Sequence, residues 1–335
     1  MKNNKCLYVF LLLFIIADLT YSFYQHFQTS LNGDLADIIL PVETNGYSKV
    51  LKDPFGISVL IDNAFYPNPN RFFAHWTTSK YFSFVPHFLQ NFFNPIDSVY
   101  FSAAILKIIV QIFILYLLAY FITNTKNIFN IKFLIAAAII TPLFQADGYN
   151  RFIGIIDQSV LYTIFYALPL GLLLLSYLPI YRYLFFDIKP KFNIVTLVYM
   201  IILMIIVSFN GPLGPGIVLI VSLLLFCSLI IKSSRKNRRN SFYNLVRLFV
   251  VQLPKYSVFI ICVYSIISIY SLYIGRNNSS NFDDPIPLID RYSKLSIGLF
   301  YWFTTKIGTP ILLGITFINI FIIQKIKNSN KNQKL

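Results

Sequence analysis

Asp34 and Asp37, in the run Asn32-Gly33-Asp34-Leu35-Ala36-Asp37, are the chain's clearest arrangement for chemistry. If Asp34 opens a helix, Asp37 lies one turn on and shares its face. Carboxylates so placed repel one another, which raises one pKa and equips it to take a proton from an incoming hydroxyl. The pair can also hold a divalent cation through oxygen ligands, with the metal left unspecified. A solvated helix start, where acids favour the positive end of the dipole, is the plain alternative.

Other residues can complete such a site. Tyr100, Ala104, Lys107 and Gln111 follow the spacing of one helical face. Lys107 then lies about 10 Å along an apolar helix from its outer end. An ionisable group at that depth either has a role or snorkels to the headgroups. Arg71 and His75 share a face, and Trp76 follows. A sugar ring can stack on Trp76 and His75 can assist proton transfer, although such residues also serve as interfacial anchors. Asp147 and Asp157 border a polar link over 145–158 and can reach the same cavity. Arg291 and Lys306, with Lys294 between them, can hold a lipid phosphate by charge-assisted hydrogen bonds or act as anchors. Gln158, Tyr162 and Tyr166 form a stripe suited to helix packing. Asp53-Pro54-Phe55-Gly56 and Pro67-Asn68-Pro69 read as turns. Cys6, Cys227 and Cys262 lack metal-ligand spacing, and no P-loop, dinucleotide fingerprint, HExxH or GxSxG occurs.

The elements that must position these residues are membrane helices. Of the 335 residues 56% are apolar and 12% charged, against roughly 25% charged in a soluble domain. Several apolar runs reach the roughly 20 residues that cross a bilayer. The expected fold is all-α, one integral membrane domain over 1–335 with about eight transmembrane helices. The runs are Cys6–Tyr24, Tyr100–Ile122, Ile131–Phe144, Ser159–Ile180, Asn193–Ser208, a sixth ending near Ile231, Val258–Ile274 and Ile311–Ile323. The first reads as a retained helix rather than a cleaved signal, because Asp18 interrupts it and no A-x-A-like site follows. Asp18 should face the bundle interior. Ile131–Phe144 is short for a crossing and calls for shelter by its neighbours. Residues 25–99 form a long outer loop whose aromatic-rich later part suits interfacial helices. Residues 295–324 read either as a short interfacial helix plus a span or as one kinked helix.

Charge orients this layout. With both termini cytoplasmic, the inner side gathers Lys2, Lys5, the basic loop 232–257 and the basic tail 325–335, with Asp187 as its one carboxylate. His26, His75, His87 and most carboxylates then fall outside, so a site should open outward. The net charge of +15 is this membrane bias and does not point to nucleic acid. Short loops without appended soluble domains fit a bacterial inner membrane, with lipid as the first partner.

An acidic motif in the first outer loop, directly after the first helix, resembles the plan of the GT-C glycosyltransferases. The resemblance covers the first hundred residues and the general topology. It implies a sugar taken from a polyprenyl-phosphate donor at the outer face, with Asp34 or Asp37 as the base that activates the acceptor hydroxyl. Two other readings stand beside it. A transporter or flippase would use the Gly/Pro-broken segments near Pro142, Gly211–Gly216 and Pro310 as discontinuous helices. A non-catalytic scaffold in envelope assembly needs no site at all.

Overall fold

A computed structural model describes the chain apart from residues 1, 32–33, 42–45, 145–154, 190–192, 235–254, 280–289, 291–296, 299, 302–303, 305–307 and 333–335. Its elements are helices: α1 (Lys2–Gln28), α2 (Asp34–Ile39), α3 (Tyr47–Lys52), α4 (Ile57–Asp62), α5 (Phe72–Leu89), α6 (Pro95–Thr123) and α7 (Ile131–Ile140). There follow α8 (Val160–Phe186), then α9 (Ile194–Ser208), α10 (Leu213–Ser234), α11 (Lys255–Ile274) and α12 (Gly308–Asn332). The single β-bridge among the described residues joins Tyr66 to Asn278.

Asparagine punctuates the apolar helices. Asn94, Asn130 and Asn193 sit in extended backbone before α6, α7 and α9, and each side chain accepts from a first-turn amide (Asp97, Lys132 and Thr196). Those amides have no partner within the helix, so each cap contributes about 1 kcal/mol. Pro95 at the first position of α6 suits the helical φ. Asn124, at φ 49°, closes α6 in the left-handed region that asparagine tolerates.

Each apolar run read from the sequence is helical, but length separates them. Among the described residues four helices are long and apolar enough to cross a membrane: Lys5–Gln28, α6, α8 and Ser257–Asn277. The α9–α10 pair passes together with a bend of 119°, and Ile131–Phe144 and Leu313–Ile322 are shorter. These four or five candidates make the chain an integral membrane protein. The short α7 is sheltered as expected, with Phe133, Leu134, Ala136, Ala137 and Ala138 buried against Val110, Ile114 and Ile15. Small residues let α8 approach α6 closely: a Cβ on Gly171 would lie 2.6 Å from Phe113.

Among its described residues the 25–99 segment carries four helices, and its middle is stapled rather than merely turned. The Tyr66 amide donates to the Asn277 carbonyl at 3.4 Å, and the Ser279 amide returns to Tyr66 at 3.2 Å. Asn68 donates its amide to Asn278 Oδ1 at 2.7 Å, and Asn70 Nδ2 donates to the Ser271 carbonyl at 3.2 Å. Gly211, at the α9–α10 bend, donates to the Asn70 carbonyl at 2.9 Å, and Phe73 to the Phe209 carbonyl at 3.2 Å. Pro67-Asn68-Pro69 therefore belongs to a clasp that holds the start of α5 between the end of α11 and the α9–α10 bend. On 295–324, the described helix begins at Gly308, and the preceding part lies largely outside the described residues.

Candidate functional site

α2 places both aspartates as the sequence implied. Asp34 and Asp37 occupy its first turn, and both are exposed. Leu35 and Ile38, on the other face, are buried in a cluster with Ala74 and Phe82 of α5, Leu106 of α6, and Ile164 and Phe165 of α8. Alternation of two acids with two core anchors fixes which face looks out. No three His, Cys, Asp or Glu side chains converge among the described residues, so for a cation Asp34 and Asp37 offer two carboxylates alone.

Phe165 joins this cluster to a basic corner. α8 contains one π-helical turn, Thr163–Ala167. That geometry is rare and recurs at functional sites, because the extra residue re-aims neighbouring side chains. Here Phe165 is 7% exposed and Tyr166 38%. The Arg71 guanidinium lies 5.2 Å from the Phe165 ring centre and 5.9 Å from that of Tyr166. No acceptor among the described residues meets that guanidinium. Backbone room for Arg71 comes from Gly211, whose φ of +117° suits glycine and whose absent Cβ would lie 2.9 Å from Arg71 Nε.

His75 follows one turn on. Its ring lies 5.3 Å from Tyr47 and 5.5 Å from Phe165. It is 1% exposed, and neither ring nitrogen has a hydrogen-bond partner among the described residues. Burial first, then the Arg71 charge, pushes its pKa down to about 3, so the ring is neutral. Each buried polar atom left without a partner costs about 1–3 kcal/mol. Trp76 parts company with this pair and is 46% exposed.

A cavity of 230 Å³ adjoins the π turn, lined by Phe165, Tyr166, Ile155, Pro169, Leu213 and Ile217 among others. Its walls are apolar, and Arg71 sits above two of its aromatic rings. Sequence periodicity grouped Tyr162 with Tyr166, and their rings lie 5.4 Å apart. The π turn, which gives Tyr166 to the cavity, leaves no sequence signature.

Lys107 shares the predicted helical face with Ala104 and Gln111, and there the three are buried, at 1%, 0% and 0% exposed respectively. Its ammonium donates to Thr29 Oγ1 at 3.0 Å and to the Gln158 carbonyl. It thus ties the end of α1 and the residues before α8 to α6. A polar seam continues along α1. Gln111 meets His26 at 3.2 Å and donates to Ser22 at 3.1 Å, and Thr141 donates to Asp18 at 2.7 Å. Asp18 therefore faces the bundle interior. Ser22, His26 and Thr29 were legible only as polar residues at helical spacing before an apolar face. Asp157 is exposed and accepts from the Ser159 amide at 2.7 Å. Asp147, Arg291 and Lys306 lie outside the described residues.

No family model, curated protein or solved structure matches the chain.

Proposed function

We propose that the chain is a membrane glycosyltransferase of GT-C type, acting on a polyprenyl-phosphate-linked sugar at the outer face of a bacterial inner membrane. In this reading the eight apolar helices all cross, with both termini cytoplasmic, and α2–α5 lie at the outer surface. One observation carries it: the acid-bearing α2, the basic start of α5 and the cavity-lining Phe165 pack through a single apolar cluster. The helix that carries the acid pair thus shares an apolar core with one wall of a recess suited to an isoprenoid chain.

The chemistry assigned to these parts balances simply. An acceptor hydroxyl oxygen bonds to the anomeric carbon, and the bond from that carbon to the phosphate oxygen breaks. The electron pair leaves with the polyprenyl phosphate, and the hydroxyl proton passes to Asp34 or Asp37. Arg71 stabilises the charge on the departing phosphate.

The test is a product assay in membranes with radiolabelled polyprenyl-phosphate sugars, wild type against Asp34→Asn/Asp37→Asn at matched protein levels. Loss of a base costs typically 10²–10⁴-fold, so transfer should fall by at least about a hundredfold. Equal transfer by both proteins would remove the acid pair from the mechanism. No transfer across several donors would favour transport, to which the 119° bend between α9 and α10 is the pertinent feature.

A further inference from the structure

We propose that Arg71 and His75 form a phosphate-binding subsite at the start of α5, with His75 taking up a proton as the anion arrives. It names the subsite of the polyprenyl phosphate that leaves in that reaction, a phosphomonoester, and rests on that reading for the ligand's tail. Three observations point to an anion. α5 has 18 residues, and its N-terminus carries no side-chain cap; of its first-turn amides Phe73 already donates to the Phe209 carbonyl, so the positive end of its dipole is only partly answered. The Arg71 guanidinium, over Phe165 and Tyr166, has no acceptor among the described residues. His75, one turn along, is 1% exposed with both ring nitrogens unpartnered. A guanidinium fork and an imidazole N–H suit a phosphate, which offers three acceptor oxygens. The apolar cavity beside the same two rings suits a chain attached to that phosphate.

The proton follows from the surroundings of His75. Arg71 is the one charged group that acts on it, and Tyr47 faces it from α3. Of the other packed elements, α2 carries Asp34 and Asp37 on its exposed face. α6 holds Lys107 with its own internal partners, and the π turn adds Tyr166 beside Arg71. Burial and Arg71 keep the imidazole neutral down to about pH 3. A bound dianion offsets the Arg71 charge and favours the imidazolium, whose two N–H groups both donate. Binding then tightens as pH falls, because the complex holds one proton more than its separate parts.

The experiment is calorimetric titration of the full chain in nanodiscs with farnesyl phosphate, farnesol and inorganic phosphate, in buffers of different ionisation enthalpy. Between about pH 8.5 and 7, above the ligand's own second pKa of roughly 6, farnesyl phosphate affinity should rise severalfold as pH falls. Net proton uptake should accompany binding, at most one proton per ligand. His75→Gln should bind farnesyl phosphate without that uptake, and Arg71→Gln should lose at least about tenfold in affinity. Equal farnesol binding by all three proteins checks that each is folded. Equal proton uptake by wild type and His75→Gln, or farnesyl phosphate binding no tighter than farnesol, would overturn the subsite. Inorganic phosphate binding as tightly as farnesyl phosphate would overturn the lipid source while keeping the anion. No sugar or acceptor is present, so a failed transfer assay leaves this result standing, and the reverse.

Discussion

Lys107 shows how burial and partners divide a structural role from a chemical one. A buried ammonium is costly unless it is hydrogen-bonded, and this one donates to Thr29 and to the Gln158 carbonyl. Those bonds fix the end of α1, and with it the path toward Asp34. Lys107→Met fills similar volume but leaves both acceptors short of a donor. It should lower stability by about 1–3 kcal/mol, read as a lower thermal midpoint in detergent. An unchanged midpoint with lost sugar transfer would mean instead that Lys107 acts on substrate. The spacing of Lys107 and Gln111 announced a shared helical face; its burial left no trace there, and neither did the acceptors, from residues 29 and 158, which are remote in sequence.

Among the elements, the loop helices are held by caps and clasps as well as by apolar burial. Asp53 caps α4 by accepting from Ile57 N at 2.8 Å and Ser58 N at 2.9 Å. Tyr66 OH donates to it at 3.0 Å. Burial alone would raise the Asp53 pKa, but bonds from Ser58, Ile57 and Tyr66 outweigh it and hold the carboxyl below its usual 3.8. A depressed carboxyl pKa gives stability that is present above 3.8 and lost as pH falls through the folded-state value. Asp53→Ala should therefore cost about 1 kcal/mol near neutral pH. Thermal melts at about pH 6 and about pH 3 should show the gap from wild type narrowing in acid. A gap of constant size would mean that the carboxylate charge contributes nothing. The turn at Asp53-Pro54-Phe55-Gly56 was legible from residue types, but its role as the cap of α4 was not. The clasp through Asn68, Asn70, Asn277 and Asn278 was hidden for a similar reason, since asparagines two hundred positions apart carry no mutual signature.

For the whole molecule, the number of the eight described apolar helices that cross sets which side each loop faces. α9 and α10 either form two spans, one broken span or a re-entrant hairpin, and the charge pattern favours two. Single cysteines at Asp157→Cys and Pro212→Cys, with Cys6, Cys227 and Cys262 replaced by serine, should react with an impermeant maleimide from outside. Lys189→Cys and Lys236→Cys should react only after the inner face is opened. Protection of Pro212→Cys would indicate a re-entrant hairpin, and outside labelling of Lys236→Cys a single broken span.

The sequence alone determined the solvent, the helical class, the positions of the apolar helices and the pairing of Asp34 with Asp37. Those follow from composition and from periodicities of a few residues, which local geometry enforces wherever the chain goes. Only the tertiary structure decided that Phe165 stands between Arg71, His75 and the α2 cluster, that a π turn brings Tyr166 to the cavity, and that Lys107 is a clamp. Each depends on the register of helices distant in sequence, set by packing many small contacts at once rather than by any local pattern.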